Sequence, residues 1–415
     1  MQGTVRAVRQ RRELTFKHNA ELGRHGWLRL TPAYSVKLVE DIFELDQPQL
    51  AVFDPFSGTG TTPLAAAHRG FRALATDINP FLIWLATVKT ARYSARQQAA
   101  ARTATRRIVG LLADPGLAPS EPPPLYNLTR WWSGPRLAFL CKLKAAIQRS
   151  TRDPSAARNL LMIAFCRIMM GLSNAAFNHQ SMSFKPSGAG PARRGHAPVP
   201  AAFARQFSRE VETVLATTSP NPRQPGPVLR DDARTLQRIA RGSFDLLVTS
   251  PPYPNRMSYV RELRPYMYWT GHLVAAREAG ELDWDAIGGT WGVATSRLAD
   301  WCAAEPVPLP AELSRAVARI ARSDAANARL LSTYVAKYFH DMWQHLAAVA
   351  DRIQSRGRVH YIVGNSTFYG VLVSTERVFA HMLSALGFQH VQIQVLRKRN
   401  SKKELFEFGV HATKA

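Results

Sequence analysis

Cysteine is scarce in this chain: Cys141, Cys166 and Cys302 stand far apart and form no Cys-x-x-Cys pair. That pattern excludes a zinc-finger ligand set or a disulfide framework and suits a reducing, cytoplasmic setting. Apolar runs are short as well. None approaches the roughly 20 residues that a spanning helix needs, so no membrane role is expected. Acids are in deficit, with 30 Asp and Glu against 54 Lys and Arg and a formal charge of +24. Such a charge points to a polyanionic partner, nucleic acid first, with Arg-rich genomic bias as the bland alternative. Core-forming material is ample: 415 residues, 46% of them hydrophobic, can fill one large domain or two ordinary ones. Arg6, Arg9, Arg11 and Arg12 have no apolar segment behind them, which reads as a mobile basic arm and not as a secretory signal.

Two strand–turn–helix signals lie far apart. In "QLAVFDPFSGTGTTPLAAAHRGFRALATDINP", Leu50–Phe53 form a short apolar strand, and a Gly-containing turn follows. Pro63 suits the first turn of a helix that Gly70 ends. "FRALATD" is the next strand, finishing at Asp77, so the unit is a βαβ crossover in a parallel sheet. In "VLRDDARTLQRIARGSFDLLVTSPPY", Val228–Leu229 begin a strand, "ARTLQRIA" reads as a short helix, and Phe244–Val248 as a strand buried on both faces. The expected division is a core part at 1–90, an Ala- and Arg-rich helical insertion at 91–227 broken by Pro-rich stretches, a second core part at 228–270, a second insertion at 271–330, and a return to α/β grammar at 331–415. In that last part "RVHYIVGN" and "HVQIQVLR" read as strands, Thr375–Leu386 as a helix closed by Gly387, and "LFEFGVHA" as a partner strand.

Chemistry concentrates at the two turns. In "DPFSGTGTT", Gly58 and Gly60 permit a tight turn and close backbone approach to a ligand above the strand ends. A P-loop needs a Lys before the Ser/Thr, and none is present; a dinucleotide fingerprint wants a third glycine where Pro63 stands. What remains is a nucleoside-containing cofactor held by backbone and one acid. Asp77, at the end of the second strand, is placed to accept two ribose hydroxyls. The second turn, "TSPPY", ends a core strand on two prolines, which stop the ladder and stiffen the exit. It is a blunt turn or a holder of carbonyl oxygens and a flat ring.

"DPFSGTGTT" together with "TSPPY" resembles motifs I and IV of the amino-group DNA methyltransferases that use S-adenosylmethionine. The upstream "GWLRLTPAYSVKLVEDIF" resembles the family's motif X, "RDDARTLQ" its motif III, and Asp77 matches its motif II acid. These segments and the tail strands cover about half of the chain. The resemblance implies an α/β, Rossmann-like fold with a mostly parallel seven-stranded sheet, its last strand antiparallel, plus helical insertions. It implies S-adenosylmethionine at Thr31, Pro32, Tyr34, Asp54, Pro55, Phe56, Ser57, Gly58, Gly60, Thr61, Thr62, Asp77, Ile78, Asp232 and Ala233, and no metal. Ser250, Pro251, Pro252 and Tyr253 become the catalytic set. An aromatic amine is a poor nucleophile because its lone pair is delocalised. The Ser250 hydroxyl and the Pro251 carbonyl can grip its hydrogens and favour a pyramidal nitrogen, while Tyr253 stacks on a base that has left the duplex. Serine at position 250 favours cytosine N4, because "SPPY" is more usual there and "DPPY" for adenine N6. The remaining alternatives are an adenine-N6 enzyme, an RNA amine methyltransferase, or a nucleic-acid-binding protein with a degenerate core. One departure stands out: the long insertion falls before the motif III match, and the order is not circularly permuted.

Double-stranded DNA is the implied partner, with a cognate restriction enzyme as a further candidate. Arg193 and Arg194 in the insertion, Arg256 and Arg261 behind motif IV, and Arg397, Arg399, Lys402 and Lys403 in "LRKRNSKKEL" are the phosphate-contact candidates, against plain surface charge. Arg264 lies on the same basic face. Asn178, His179 and Gln180 suit base-edge hydrogen bonding or a satisfied polar turn. Trp131 and Trp132 read first as packing, and "GGTWG" at Gly288–Gly292 as a loop able to approach the pocket.

Overall fold

The computed structural model describes residues 8–30, 33–44, 50–176, 183–184, 199–255, 258–289, 293–399 and 404–415. Seven strands make the main sheet: β1 (Ala51–Asp54), β2 (Arg72–Asp77), β3 (Val228–Arg230), β4 (Phe244–Thr249), β5 (Ile353–Gly364), β6 (Phe388–Lys398) and β7 (Phe406–Lys414). Their spatial order is β6-β7-β5-β4-β1-β2-β3. Neighbours from β3 across to β5 pair in parallel, and β7 runs antiparallel to both β5 and β6. A mostly parallel sheet with helices on both faces is the Rossmann-like methyltransferase arrangement. The chain runs outward from β1 to β3, then returns to lay β4 on the other side of β1. That reversal opens a crevice beyond the carboxyl ends of β1 and β4, where open α/β sheets bind ligands.

Burial on both faces explains why the central strands are almost purely apolar. All four residues of β1 are buried. Val52 and Val248 join the core on one side of the sheet, Phe53 and Leu247 the core on the other. The longer helices are α1 (Val36–Phe43), α2 (Thr61–Arg69), α3 (Pro80–Thr90), α4 (Ala95–Ala113), α5 (Gly134–Ser150), α6 (Ala156–Gly171), α7 (Val199–Ala216), α8 (Tyr259–Thr270), α9 (Ala276–Asp285), α10 (Val293–Ala299), α11 (Ala311–Ala321), α12 (Ala328–Arg352) and α13 (Thr375–Ala385). Helices α4 to α7 fall between β2 and β3 and share one core with α3 and α8. Trp269 of α8 meets Trp132 and Phe165 edge-on, at 5.7 and 5.5 Å between ring centroids. Trp131 and Trp132 are both buried there, so they pack and present no ring to a ligand.

Two expectations need correction. "ARTLQRIA" forms turns, not a helix. Leu236 sits at φ +47, and Arg352 Nε donates to the Leu236 and Ile239 carbonyls at 2.7 and 3.1 Å. The Asp232 and Asp231 carboxylates accept the Arg234 and Arg238 amides at 2.9 and 2.8 Å, offering the backbone an alternative to helical pairing. The basic N-terminal arm is docked over its described part: Lys398 N donates to Arg9 O at 3.2 Å, so the segment meets the end of β6. Among the described residues no helix is long and apolar enough to cross a membrane.

Candidate active site

The turn after β1 is built around two left-handed glycines, Gly58 at φ +51 and Gly60 at φ +78. A Cβ on Gly60 would stand 2.9 Å from Ala86 Cβ, so glycine here also lets α2 close against α3. Gly58 N donates to Asp77 Oδ2 at 2.8 Å, and Asn79 N to Asp77 Oδ1 at 2.9 Å. Two backbone amides therefore brace the Asp77 carboxylate at the lip of β2, half-buried, with lone pairs left for a ligand. Burial pushes its carboxyl up to about 6, against the opposing pull of those amides.

Beneath the turn, Asp54 is fully buried. Its Oδ1 accepts from Thr249 Oγ1 at 2.6 Å and from Phe56 N at 3.1 Å, tying the ends of β1 and β4 together. Its Oδ2 and the Ser57 hydroxyl are buried without a hydrogen-bond partner among the described residues. Burial pushes the Asp54 carboxyl up to about 7. Thr62 Oγ1 donates to Val248 O at 3.1 Å and also meets the Tyr34 hydroxyl. Thr59 and Thr61 bond to each other. Asp54, Ser57, Gly60, Thr61 and Thr62 thus shape the turn from below, behind the cavity lining of Pro55, Phe56 and Gly58.

The exit of β4 is held on every side. Ser250 Oγ donates to Ile362 O at 3.1 Å, which directs its lone pairs away from β5. The Pro252 carbonyl accepts from the Tyr338 hydroxyl at 2.7 Å. Gly288 packs over the same proline, with its carbonyl taken by the Tyr334 hydroxyl at 3.3 Å, so the described start of the "GGTWG" loop braces the turn, and Asp285, Ala286 and Ile287 before it line the cavity. Tyr253 OH donates to Glu407 Oε1 at 2.7 Å. Burial first and the Glu407 carboxylate second hold that phenol well above its ordinary range, so it stays a donor. The Tyr338 clamp makes a test: Tyr338→Phe should cost about 1 kcal/mol of stability and slow turnover without changing cofactor affinity. Denaturant unfolding and a binding titration check it.

One cavity of about 970 Å³ joins the two turns. Of the expected residues, Tyr34, Pro55, Phe56, Gly58, Asp77, Ile78, Asp232, Ala233, Ser250, Pro251, Pro252, Tyr253, Arg397 and Arg399 line it. Asp232 does so with a partner already, since Arg234 grips it through Nε at 3.0 Å and Nη2 at 2.7 Å. Arg397 needs reassignment. Its guanidinium is committed to the buried Glu407 at 2.7 Å, so it braces the pocket wall and does not reach out to phosphate. Arg261 is exposed on α8, apart from the cavity. Arg264 is half-buried on the same helix. Thr31, Pro32, Arg193, Arg194, Arg256, Lys402 and Lys403, like Asn178, His179 and Gln180, lie outside the described residues.

Several participants were not among the expected site residues, although Arg11 and Arg12 belong to the basic arm read from the sequence. Exposed Arg11, Arg12, Lys17 and Arg29 line the cavity from the N-terminal segment. His345 of α12 is buried between Ala233 O and Tyr361 OH, both at 2.9 Å. A carbonyl can only accept, so Nδ1 carries the proton and Nε2 accepts from Tyr361. Burial takes His345 down to about 4, which keeps it neutral, and its ring meets Phe56 edge-on at 4.8 Å. Only the long-range fold brings these groups together.

The residues present fit S-adenosylmethionine: a braced carboxylate suits a ribose diol, and Pro55, Phe56, Ile78 and Leu82 offer an apolar lining. Among the described residues no group of three or more His, Cys, Asp or Glu side chains is placed to hold a metal ion. No family model matches the chain. It is similar to the Type II methyltransferase M.AvaI of Nostoc sp. (strain PCC 7120 / SAG 25.82 / UTEX 2576), 21% identical over 433 residues, covering 97% of this chain and 87% of that protein. The M.AvaI enzyme of Anabaena variabilis matches to the same extent. This near-full-length likeness supports a methyltransferase. The rRNA methyltransferase aviRa from Streptomyces viridochromogenes aligns with 92% of this chain and 86% of its own at 11% identity, with a TM-score of 0.30, too loose to bear on the chemistry.

Proposed function

We propose that the chain transfers a methyl group from S-adenosylmethionine to the exocyclic amine of a flipped base in double-stranded DNA, cytosine N4 by preference. One juxtaposition carries the reading. The nucleoside-binding acid Asp77 and the "SPPY" turn, at the carboxyl ends of β2 and β4 on either side of β1, open into a single cavity. When bound, S-adenosylmethionine supplies an electrophilic sulfonium methyl. Everything else falls to the chain. Asp77 holds the ribose hydroxyls. Ser250 Oγ already donates its hydrogen bond to Ile362 O, so it acts towards the amine as an acceptor. Pro251, fixed between strand end and proline ring, offers its carbonyl as the second acceptor. Drawing on both N–H groups localises the nitrogen lone pair, and holding it in line is a large part of the rate. Tyr253 provides the stacking face. The basic rim of Arg11, Arg12, Lys17 and Arg29 suits a phosphate backbone. The likeness to a Type II methyltransferase favours DNA over RNA, and Ser250 favours cytosine over adenine.

Label from tritiated S-adenosylmethionine is expected in unmethylated duplex DNA and absent from structured RNA. The reverse distribution would move the substrate to RNA.

The raised carboxyls add a pH prediction. Asp77 at about 6 and Asp54 at about 7 stand above the unfolded value of 3.8. Both therefore bind protons more tightly folded than unfolded. The unliganded protein should lose stability as pH rises from about 4 to about 7, and lose nothing further from these two groups above that window. Ribose hydroxyls favour the ionised form of Asp77, so cofactor binding releases a proton near pH 6. Below that value the Kd should rise by up to about tenfold per pH unit. Calorimetry in two buffers of different ionisation enthalpy reads the proton directly. A Kd flat from pH 5 to 8 contradicts the assignment of Asp77.

A further inference from the structure

Arg399 behaves unlike its neighbours on the β6–β7 hairpin. Its guanidinium carbon lies 4.8 Å from the centroid of the Tyr253 ring, and both residues line the cavity. Nη1 donates to Asn365 O at 2.9 Å, and the Arg399 amide closes the hairpin on Leu405 O at 2.7 Å. Asn365 secures the other side of the hairpin through Phe406 N at 2.8 Å and Glu404 O at 3.2 Å. Whereas Arg397 is spent on Glu407, Arg399 forms no ion pair among the described residues. Glycine at 364 makes the stack possible: a Cβ there would stand 2.3 Å from Arg399 Nη1 and 2.9 Å from Tyr253 Cε2.

We infer that Arg399 is a substrate-stacking residue that holds the seat of the target base and then closes over it. This rests on the reading of Tyr253 as the stacking face. The guanidinium lies too close to Tyr253 to admit a ring between them, so it lifts as the base enters and covers the base's second face. A planar, delocalised cation does this, and its weak hydration keeps the cost of leaving water low. Arg399 is thereby reassigned from phosphate contact to base recognition.

The test compares Arg399→Ala, Arg399→Lys and Arg399→Phe in the full chain. It measures steady-state methylation of unmethylated bacterial genomic DNA, calorimetric binding of S-adenosylmethionine, and thermal midpoint. Loss of the flat surface should lower kcat/KM for DNA by roughly tenfold to a hundredfold in the Ala and Lys variants. The Phe variant should recover most of that loss. All three should bind cofactor as the parent does, and the salt dependence of KM should be unchanged. Full activity in the Ala variant, or activity preserved by Lys and lost with Phe together with a shallower salt dependence, overturns the inference in favour of a phosphate contact. If the parent chain itself labels no DNA, the functional reading falls and this inference falls with it.

Discussion

Replacing Asp77 by alanine is expected to weaken S-adenosylmethionine binding by roughly a hundredfold or more, since hydrogen bonds to a charged group contribute about 1.5–3 kcal/mol each. The carboxylate has a double role. It receives the Gly58 and Asn79 amides at 2.8 and 2.9 Å, so its loss also releases the turn that shapes the cofactor seat. Asp77→Asn separates the two effects. An amide oxygen can still receive one of the backbone donors, but the second position becomes a donor facing Gly58 N or the ribose. The turn should persist while affinity falls. Calorimetric titration reads affinity and thermal unfolding reads the turn. If the Asn variant bound cofactor as tightly as the parent, Asp77 would not be the ribose acceptor.

Tyr253→Ala is expected to have the converse signature. Base stacking on an aromatic ring is worth about 1–3 kcal/mol, and the ring also orders Glu407 and Arg399. kcat/KM for DNA should therefore fall by about two orders of magnitude, with cofactor affinity within twofold of the parent, roughly 0.4 kcal/mol. Tyr253→Phe keeps the ring and removes only the 2.7 Å bond to Glu407. Phe should lie much closer to the parent than Ala does. Loss of cofactor binding in Tyr253→Ala would place that ring in the wrong half of the cavity.

The sheet and the two turns could be read from sequence because each is encoded locally. Gly58 and Gly60 mark a left-handed turn, β4 is apolar apart from Asp245 and Thr249 because both its faces are covered, and the two prolines of the β4 exit cannot continue a ladder. Asp77 was identifiable from its place at the end of β2. The pairing of Arg397 with Glu407 had no such mark. Ten residues separate them, and only the antiparallel register of β6 on β7 places them side by side. Arg399 likewise reads as a phosphate contact in sequence, and only β5 and the β4 exit bring Gly364 and Tyr253 against it. The segment after β3 reads as a short helix in sequence. Arg352, more than a hundred positions away, takes its carbonyls. The docking of the N-terminal segment on β6 is equally non-local.

Expression in a host that lacks DNA methylation, followed by genome sequencing that distinguishes N4-methylcytosine from N6-methyladenine, tests the account most directly. The expected result is N4-methylcytosine at one recurring sequence, absent when Tyr253→Ala is expressed at the same level. A genome left unmodified by a parent chain that binds S-adenosylmethionine would contradict it.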